Sequence, residues 1–230
     1  MIAGGNYASL TVTTFCVVAA GDVNVRGNLT VASGGALVAA FSGSNLHVGV
    51  NVLVQPGGIL ILGCEPERFD CFNGSGTTHH SVGGNVVSNG ALMVLAHASS
   101  IGGNVIQQGG GGGVNCQPLP FGPPAYTAYE DNTISGNAIV QGLHTCWSGF
   151  FRNAVGGNVI WNNNITWDGT PEPPGDPTLH GDEDGNEIAN NPIKGNLNCF
   201  GNFPAIQFGD SVQPPNVVAG QVHGQCLAVV

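Results

Sequence analysis

The sequence predicts an all-β fold, a single-stranded parallel β-helix (β-solenoid) of about eight coils with three inserted loops. Three observations predict it: a short Gly-Asn phrase that recurs along the chain, apolar residues that alternate between the phrases, and a density of Gly and Pro that no long helix tolerates. The phrase comes first, because internal repetition decides the architecture before any local propensity does. It reads Ile or Val, any residue, usually Gly, then Asn or Gln, then an apolar residue. Its copies are Val25-Arg26-Gly27-Asn28-Leu29, Val48-Gly49-Val50-Asn51-Val52, Val82-Gly83-Gly84-Asn85-Val86, Ile101-Gly102-Gly103-Asn104-Val105, Ile134-Ser135-Gly136-Asn137-Ala138, Val155-Gly156-Gly157-Asn158-Val159, Ile193-Lys194-Gly195-Asn196-Leu197 and Val218-Ala219-Gly220-Gln221-Val222. Gly5-Asn6-Tyr7 reads as a degenerate ninth.

Successive Asn or Gln positions are separated by 23, 34, 19, 33, 21, 38 and 25 residues. About twenty residues make one coil, so the longer intervals carry insertions, placed at about 65–80, 109–132 and 167–191. These stretches hold Asn73-Gly74-Ser75-Gly76, the five glycines from Gly109 to Gly113, and Pro171, Pro173, Pro174 and Pro177, all turn-forming residues. Within a coil the apolar residues alternate, as in Val23-Val25, Leu29-Val31 and Leu46-Val48, and the alternation gives way to short runs such as Ile59-Leu60-Ile61-Leu62. Both patterns are strand patterns. With 38 Gly and 14 Pro in 230 residues, no 3.6-residue period is sustained long enough to make a helix. Gly is expected to turn the chain at φ > 0, with Asn tolerating the same region and bonding to the Asn of the next coil. The phrase is therefore a corner or a ladder position, and the sequence leaves the two open. The whole of 1–230 reads as one solenoid domain.

Composition narrows the function classes. Charged residues are 8% of the chain and apolar ones 42%, enough for a sizeable core. Fourteen acidic residues face four basic ones, a net charge of -10, which excludes a nucleic-acid backbone as partner. No apolar run approaches the roughly 18 residues of a membrane span, and Met1-Ile2-Ala3-Gly4-Gly5 has neither the basic nor the apolar region of a signal peptide. Export is instead argued from seven cysteines that include no CxxC pair and no zinc-like His spacing. Disulfides are expected among Cys64, Cys71, Cys116, Cys146, Cys199 and Cys226. Cys64 and Cys71 close a short loop, Cys199 and Cys226 follow the last two phrases on neighbouring coils, and Cys16 is left over. A secreted or cell-surface location follows.

The phrases Gly83-Gly84-Asn85-Val86, Gly27-Asn28-Leu29-Thr30-Val31 and Gly34-Gly35-Ala36-Leu37 come together with Cys64-Glu65-Pro66-Glu67-Arg68-Phe69 and Tyr129-Glu130-Asp131-Asn132. In this combination the chain resembles a family of exported, largely uncharacterised actinobacterial repeat proteins, over most of its length. In repeat style alone it is similar to bactofilins, intracellular β-helices that polymerise. Neither resemblance implies catalytic residues.

Solenoid enzymes that cleave polysaccharides need a close pair of carboxylates, or acidic calcium ligands with a basic residue beside them. Here Arg26, Arg68, Arg152 and Lys194 lie on distant coils, and the repeating strands carry almost no Asp or Glu. Asp182, Asp184, Asn186 and Glu187 resemble a calcium loop, although a solvated acidic loop accounts for the same residues. Calcium is the one cofactor these residues suggest. Tyr126, Tyr129, Glu130, Asp131 and Trp147 compose a candidate glycan platform, rings for a sugar face with acids for its hydroxyls, and the bland account is that the rings pack an insertion onto the solenoid wall. His79 and His80, adjacent on a strand, would point to opposite faces and not share a metal. Ala228-Val229-Val230 ends the last coil without a helix or a charged cap. The expectation is a non-enzymatic rod that associates with itself end to end, and the alternative is a carbohydrate-binding or polysaccharide-cleaving β-helix that uses residues 109–167 on cell-envelope glycans.

Overall fold

The computed structural model describes residues 1–66, 69–114, 116–119, 124–167, 185–209 and 213–230. Its strands form three parallel sheets that wind as a β-helix. The first sheet holds β1 (Gly5–Tyr7), β4 (Gly21–Val25), β7 (Ser44–Val48), β10 (His80–Val82), β13 (Ser99–Ile101), β16 (Thr133–Ile134), β19 (Ala154–Val155), β22 (Pro192–Ile193) and β24 (Val217–Val218). The second holds β2 (Leu10–Val12), β5 (Leu29–Val31), β8 (Val52–Val54), β11 (Val86–Asn89), β14 (Val105–Gln108), β17 (Ala138–Gln141), β20 (Val159–Asn162), β23 (Leu197–Phe200) and β25 (Val222–Gly224). The third holds β3 (Phe15–Val17), β6 (Ala36–Ala39), β9 (Ile59–Leu62), β12 (Met93–His97), β15 (Tyr126–Glu130), β18 (Trp147–Phe151) and β21 (Asn186–Ala189). Nine rungs, one more than the phrase count, give a rod about 40 Å long at ~4.8 Å per rung.

Alternation decides which residues fill the rod. On the first sheet Val25, Val48, Val82, Ile101, Ile134, Val155 and Ile193 stack inward in register, and on the second Leu29, Val52, Val86, Val105, Ala138, Val159 and Leu197 do the same. No rung buries its inner face alone, so stability accumulates from contacts between neighbours.

The Gly-Asn phrase is both a corner and a ladder. It joins each first-sheet strand to the second-sheet strand that follows. Along the stack, the Asn104 backbone N–H donates to Asn85 Oδ1 (2.8 Å) and its Nδ2 donates to the same oxygen (3.0 Å). The same pair of bonds joins Asn85 to Asn51, Asn137 to Asn104 and Asn158 to Asn137. The reason for glycine differs from the expected one. Gly84, Gly103, Gly136 and Gly157 do not have positive φ. A methyl group at Gly136 would instead stand 2.5 Å from Asn104 Oδ1, and one at Gly157 would stand 2.6 Å from Asn137 Oδ1. The amide of one rung occupies the space a side chain would need in the next. Val50 is the exception that fits this account, since it sits above Asn28, an exposed residue whose step is a single 3.1 Å bond to the Asn51 N–H. Gly5-Asn6-Tyr7 does open a coil, but as strand β1 in register with Val23-Asn24-Val25, so Asn6 lies outside the ladder.

Two further ladders run inside the other corners. Asn132, Asn153, Asn191 and Asn216, all buried, link the third sheet to the first, each amide bonded to the next. Asn164 and Asn202 link the second sheet to the third, and Asn202 Nδ2 donates to Gln225 Oε1. Left-handed residues precede them: Asp131 (φ 56), Arg152 (φ 55) and Asn190 (φ 57) at one corner, Asn163 (φ 55) and Gly201 (φ 66) at the other.

Three disulfides are present, Cys64–Cys71, Cys116–Cys146 and Cys199–Cys226, with Cys16 free. The last coil departs from the sequence reading, because Gln225–Val229 forms a 3-10 helix that buries Cys226 and Val229, held by the Asn216 Nδ2 bond to the Val229 carbonyl (2.7 Å). The stretches read as insertions also contain strands: Tyr126–Glu130 and Asn186–Ala189 are rungs of the third sheet. No helix among the described residues is long and apolar enough to cross a membrane.

Candidate functional site

Each face of the rod has its own character. The outer face of the third sheet is covered by the first two insertions, which pack Phe69, Cys64, Cys71 and Leu119 over Val38, Ile59, Ile61, Met93 and Leu95. Ionisable groups converge at the edge of this second apolar layer. Asp131 and Arg152 occupy the same left-handed corner on consecutive rungs, so stacking alone places one above the other. Arg152 Nε donates to Asp131 Oδ1 (2.8 Å) and Oδ2 (2.9 Å), while Nη2 donates to Asp131 Oδ2 (2.6 Å) and Glu130 Oε2 (2.7 Å). The guanidinium also lies 5.8 Å from the centre of the Phe151 ring. Glu65, from the first insertion, hydrogen-bonds Asp131.

Burial and the neighbouring Asp131 push the Glu65 carboxyl up to about 8, while the Arg152 and Glu65 hydrogen bonds hold Asp131 below the usual carboxylate range against its own desolvation. Glu65 therefore keeps its proton at neutral pH and donates it to the Asp131 carboxylate. Beside them His97 is buried and stacked on Phe69 at 4.3 Å, neither ring nitrogen has a partner among the described residues, and burial lowers its pKa to about 3. The result is a carboxylic acid, two carboxylates, one arginine and a neutral imidazole in a half-buried cluster. Its charges are largely consumed by each other, as partly desolvated groups require.

A pH dependence follows, with its sign fixed by linkage. The folded chain holds the Glu65 proton more tightly than the unfolded chain does. This contribution is complete below the ordinary carboxyl value of 4.5 and is lost as pH rises through about 8. Asp131 acts in the opposite sense, stabilising above its unfolded value and losing that contribution in acid, as do buried His80 and His97, whose pKa values are lowered to about 4 and about 3. Of Glu65, Asp131, His80 and His97, Glu65 is thus the one that titrates between about pH 7 and 8, and the unfolding midpoint is expected to fall across that interval. Glu65→Gln keeps a hydrogen bond to Asp131 without a titrating proton and is expected to flatten the slope. Equal slopes in the two proteins would remove the assignment.

The structure separates the residues of the expected glycan platform. Tyr126 and Trp147 stand side by side on the outer face, edge to face at 6.0 Å, with Glu130 at the far end of the same strand and Asp131 at the corner just beyond it. Tyr129 does not join them. It points into the rod, has 0% exposure, and donates its hydroxyl to Gln107 Oε1 at 2.7 Å. Strand alternation explains this, because Thr127 and Tyr129 face inward whenever Tyr126, Ala128 and Glu130 face out. The outer rings pack against one another, Trp147 on Phe151 and Tyr126 on the Cys116–Cys146 disulfide and Trp167, and Tyr126 and Trp147 are each half-buried.

Of the calcium candidates, Asp182 and Asp184 lie outside the described residues. Asn186 is buried in the interior, where its Oδ1 accepts from Ser148 Oγ (2.9 Å) and Nδ2 donates to the Pro204 carbonyl (3.0 Å), while Glu187 faces the opposite side of the strand. Among the described residues no group of three or more His, Cys, Asp or Glu side chains is arranged to hold a metal ion. His79 is exposed and His80 buried, with His80 Nε2 bonded to the Ala39 carbonyl (2.6 Å) and Nδ1 accepting from the Leu46 N–H (2.8 Å).

Sequence reasoning missed Glu65, His97 and Arg152 as members of one cluster. For the stacking of Arg152 on Asp131 a signal was available in Asp131-Asn132-Thr133-Ile134, Arg152-Asn153-Ala154-Val155 and Asn190-Asn191-Pro192-Ile193, a second phase of the repeat that stacks whatever precedes its Asn; Glu65 and His97 carry no such signal. Comparison with known proteins returns no match: no family model, no curated protein and no solved structure is similar to this chain. What the chain does therefore rests on its own geometry.

Proposed function

We propose that the chain is a non-enzymatic structural element of the cell surface or extracellular space, a stiff rod that associates with itself end to end. The observation that carries this reading is the continuity of the interior: three carboxamide ladders and an apolar core run from rung to rung. Such a column resists bending because each rung's hydrogen bonds are completed by its neighbours. The ionisable cluster supports the same reading. Arg152 is committed to two carboxylates, His97 is stacked on Phe69, and the adjoining rings pack on one another, so these groups serve the packing of the column. Three disulfides suit an oxidising compartment, in keeping with the resemblance to exported actinobacterial repeat proteins. At the terminal rungs the strand edges of β1 and β24 pair on one side among the described residues, and such edges are natural templates for another strand. Negative-stain microscopy over a concentration series is expected to show rods whose lengths are multiples of about 40 Å. Single-length particles at every concentration, or a glycan array with a clear binder, would replace the reading.

A further inference from the structure

Beneath the first insertion the second apolar layer does not close completely. A cavity of about 330 Å³ lies between the insertion and the outer face of the third sheet. Its floor is one outward column in register over the first four rungs, Val17, Val38, Ile61 and Leu95, which makes a slot about 14 Å long at ~4.8 Å per rung. Its roof is Phe41, Phe69 and Phe72, with Phe72 set 5.7 Å from Phe41 and 6.0 Å from Phe69 between ring centres. The roof is fixed in place by three ties. The Cys64–Cys71 disulfide closes the loop that carries Phe69, the Phe72 N–H donates to the Ala40 carbonyl (3.0 Å), and the Asn73 amide bonds both the N–H (2.7 Å) and the carbonyl (3.1 Å) of Ser42, next to Phe41. Phe15 and Phe72, 64% and 58% exposed, mark where the slot opens to solvent.

We propose that this slot takes a single unbranched hydrocarbon tail, the apolar end of a neutral amphiphile whose head stays in water beside Phe15 and Phe72. The lining selects that class. Every side chain that lines the slot among the described residues is apolar, so none of them can complete a hydrogen bond of the occupant. A peptide segment would bring its amides in unpaired and a sugar its hydroxyls, each at the full cost of desolvation. A hydrocarbon makes no such demand and gains from leaving water. The volume falls within the range of about 300–1,000 Å³ that holds small molecules. A net charge of -10 sets the head apart as uncharged, because a carboxylate or phosphate there would be repelled. The slot is built from four rungs and one insertion of a single chain, so it does not depend on end-to-end assembly.

The neutral dye N-phenyl-1-naphthylamine, which brightens in apolar surroundings, tests the site on the whole chain. One dye per chain is expected to bind, and 1-decanol, 1-octanol and 1-hexanol to displace it at concentrations that rise about four-fold for each methylene removed. Val17→Phe, at a half-buried position of the first rung, fills the floor and is expected to weaken the binding of dye and decanol at least about ten-fold. Phe72→Ala removes an exposed part of the roof, and Cys64→Ser/Cys71→Ser unties it; each is expected to weaken binding about three-fold or more. Asn89→Phe adds a ring on the outer face of the second sheet and is expected to change nothing; circular dichroism establishes that each variant is folded. A wild-type chain that leaves the dye dim overturns the proposal. So does dye binding that Val17→Phe leaves intact in a folded protein. Displacement by hexanol at the same concentration as decanol overturns the tail in favour of a compact apolar ligand.

Discussion

Asn153→Ala is expected to destabilise the chain by on the order of 4 kcal/mol, a large effect for one small polar side chain. Asn153 Oδ1 accepts from both the backbone N–H and the Nδ2 of Asn132, and its Nδ2 donates to the Tyr129 carbonyl (2.7 Å) and to Asn191 Oδ1 (3.2 Å). All of these partners are buried. Removing the amide leaves several polar groups without partners away from water, each of which costs about 1–3 kcal/mol. Urea denaturation followed by circular dichroism measures the loss, and Asn89→Ala, at the exposed end of β11, is the comparison expected to change stability little. If the two variants unfold at the same midpoint, the inner ladder contributes nothing particular.

The second large effect concerns Cys116–Cys146, which closes 30 residues of sequence and ties the second insertion to the start of β18. A cross-link of that span stabilises by about 3–4 kcal/mol through the entropy it removes from the unfolded chain. The double variant Cys116→Ser/Cys146→Ser is expected to lose about that much, along with the packing of Tyr126 and Trp167 against the bond. The Cys64–Cys71 link closes only seven residues, and its removal is expected to cost less. Trp167 fluorescence separates local release of the insertion from global unfolding. Should the fluorescence and the denaturation midpoint both stay where they are, the insertion is held by other contacts.

The legibility of this fold in its sequence was uneven for physical reasons. The first corner could be read because its two requirements fall on neighbouring residues: an amide that bonds to the next rung, and a glycine that leaves room for the amide below. The corner holding Asn132, Asn153, Asn191 and Asn216 makes the same bonds, yet its left-handed position is filled by Ala98, Asp131, Arg152 and Asn190, four residue types with no common signature. The chain therefore showed one ladder where three exist. Tyr129 was misplaced for a related reason, since treating 109–132 as a loop suspended the inward-outward alternation that assigns this ring to the interior. The ionisable cluster brings Glu65 and Asp131 together across 66 positions of sequence, and no local pattern reports such a meeting.

The space that Asn104 Oδ1 claims above itself has an implication for how such a molecule changes over generations. Each rung is shaped to fit a neighbour of its own kind, not a particular neighbour, so a unit of about twenty residues taken out or copied in returns the column to the same fit one step shorter or longer. Length is then free to drift by whole steps while the cross-section stays fixed, and selection for a particular reach can act without disturbing the means by which the column holds together.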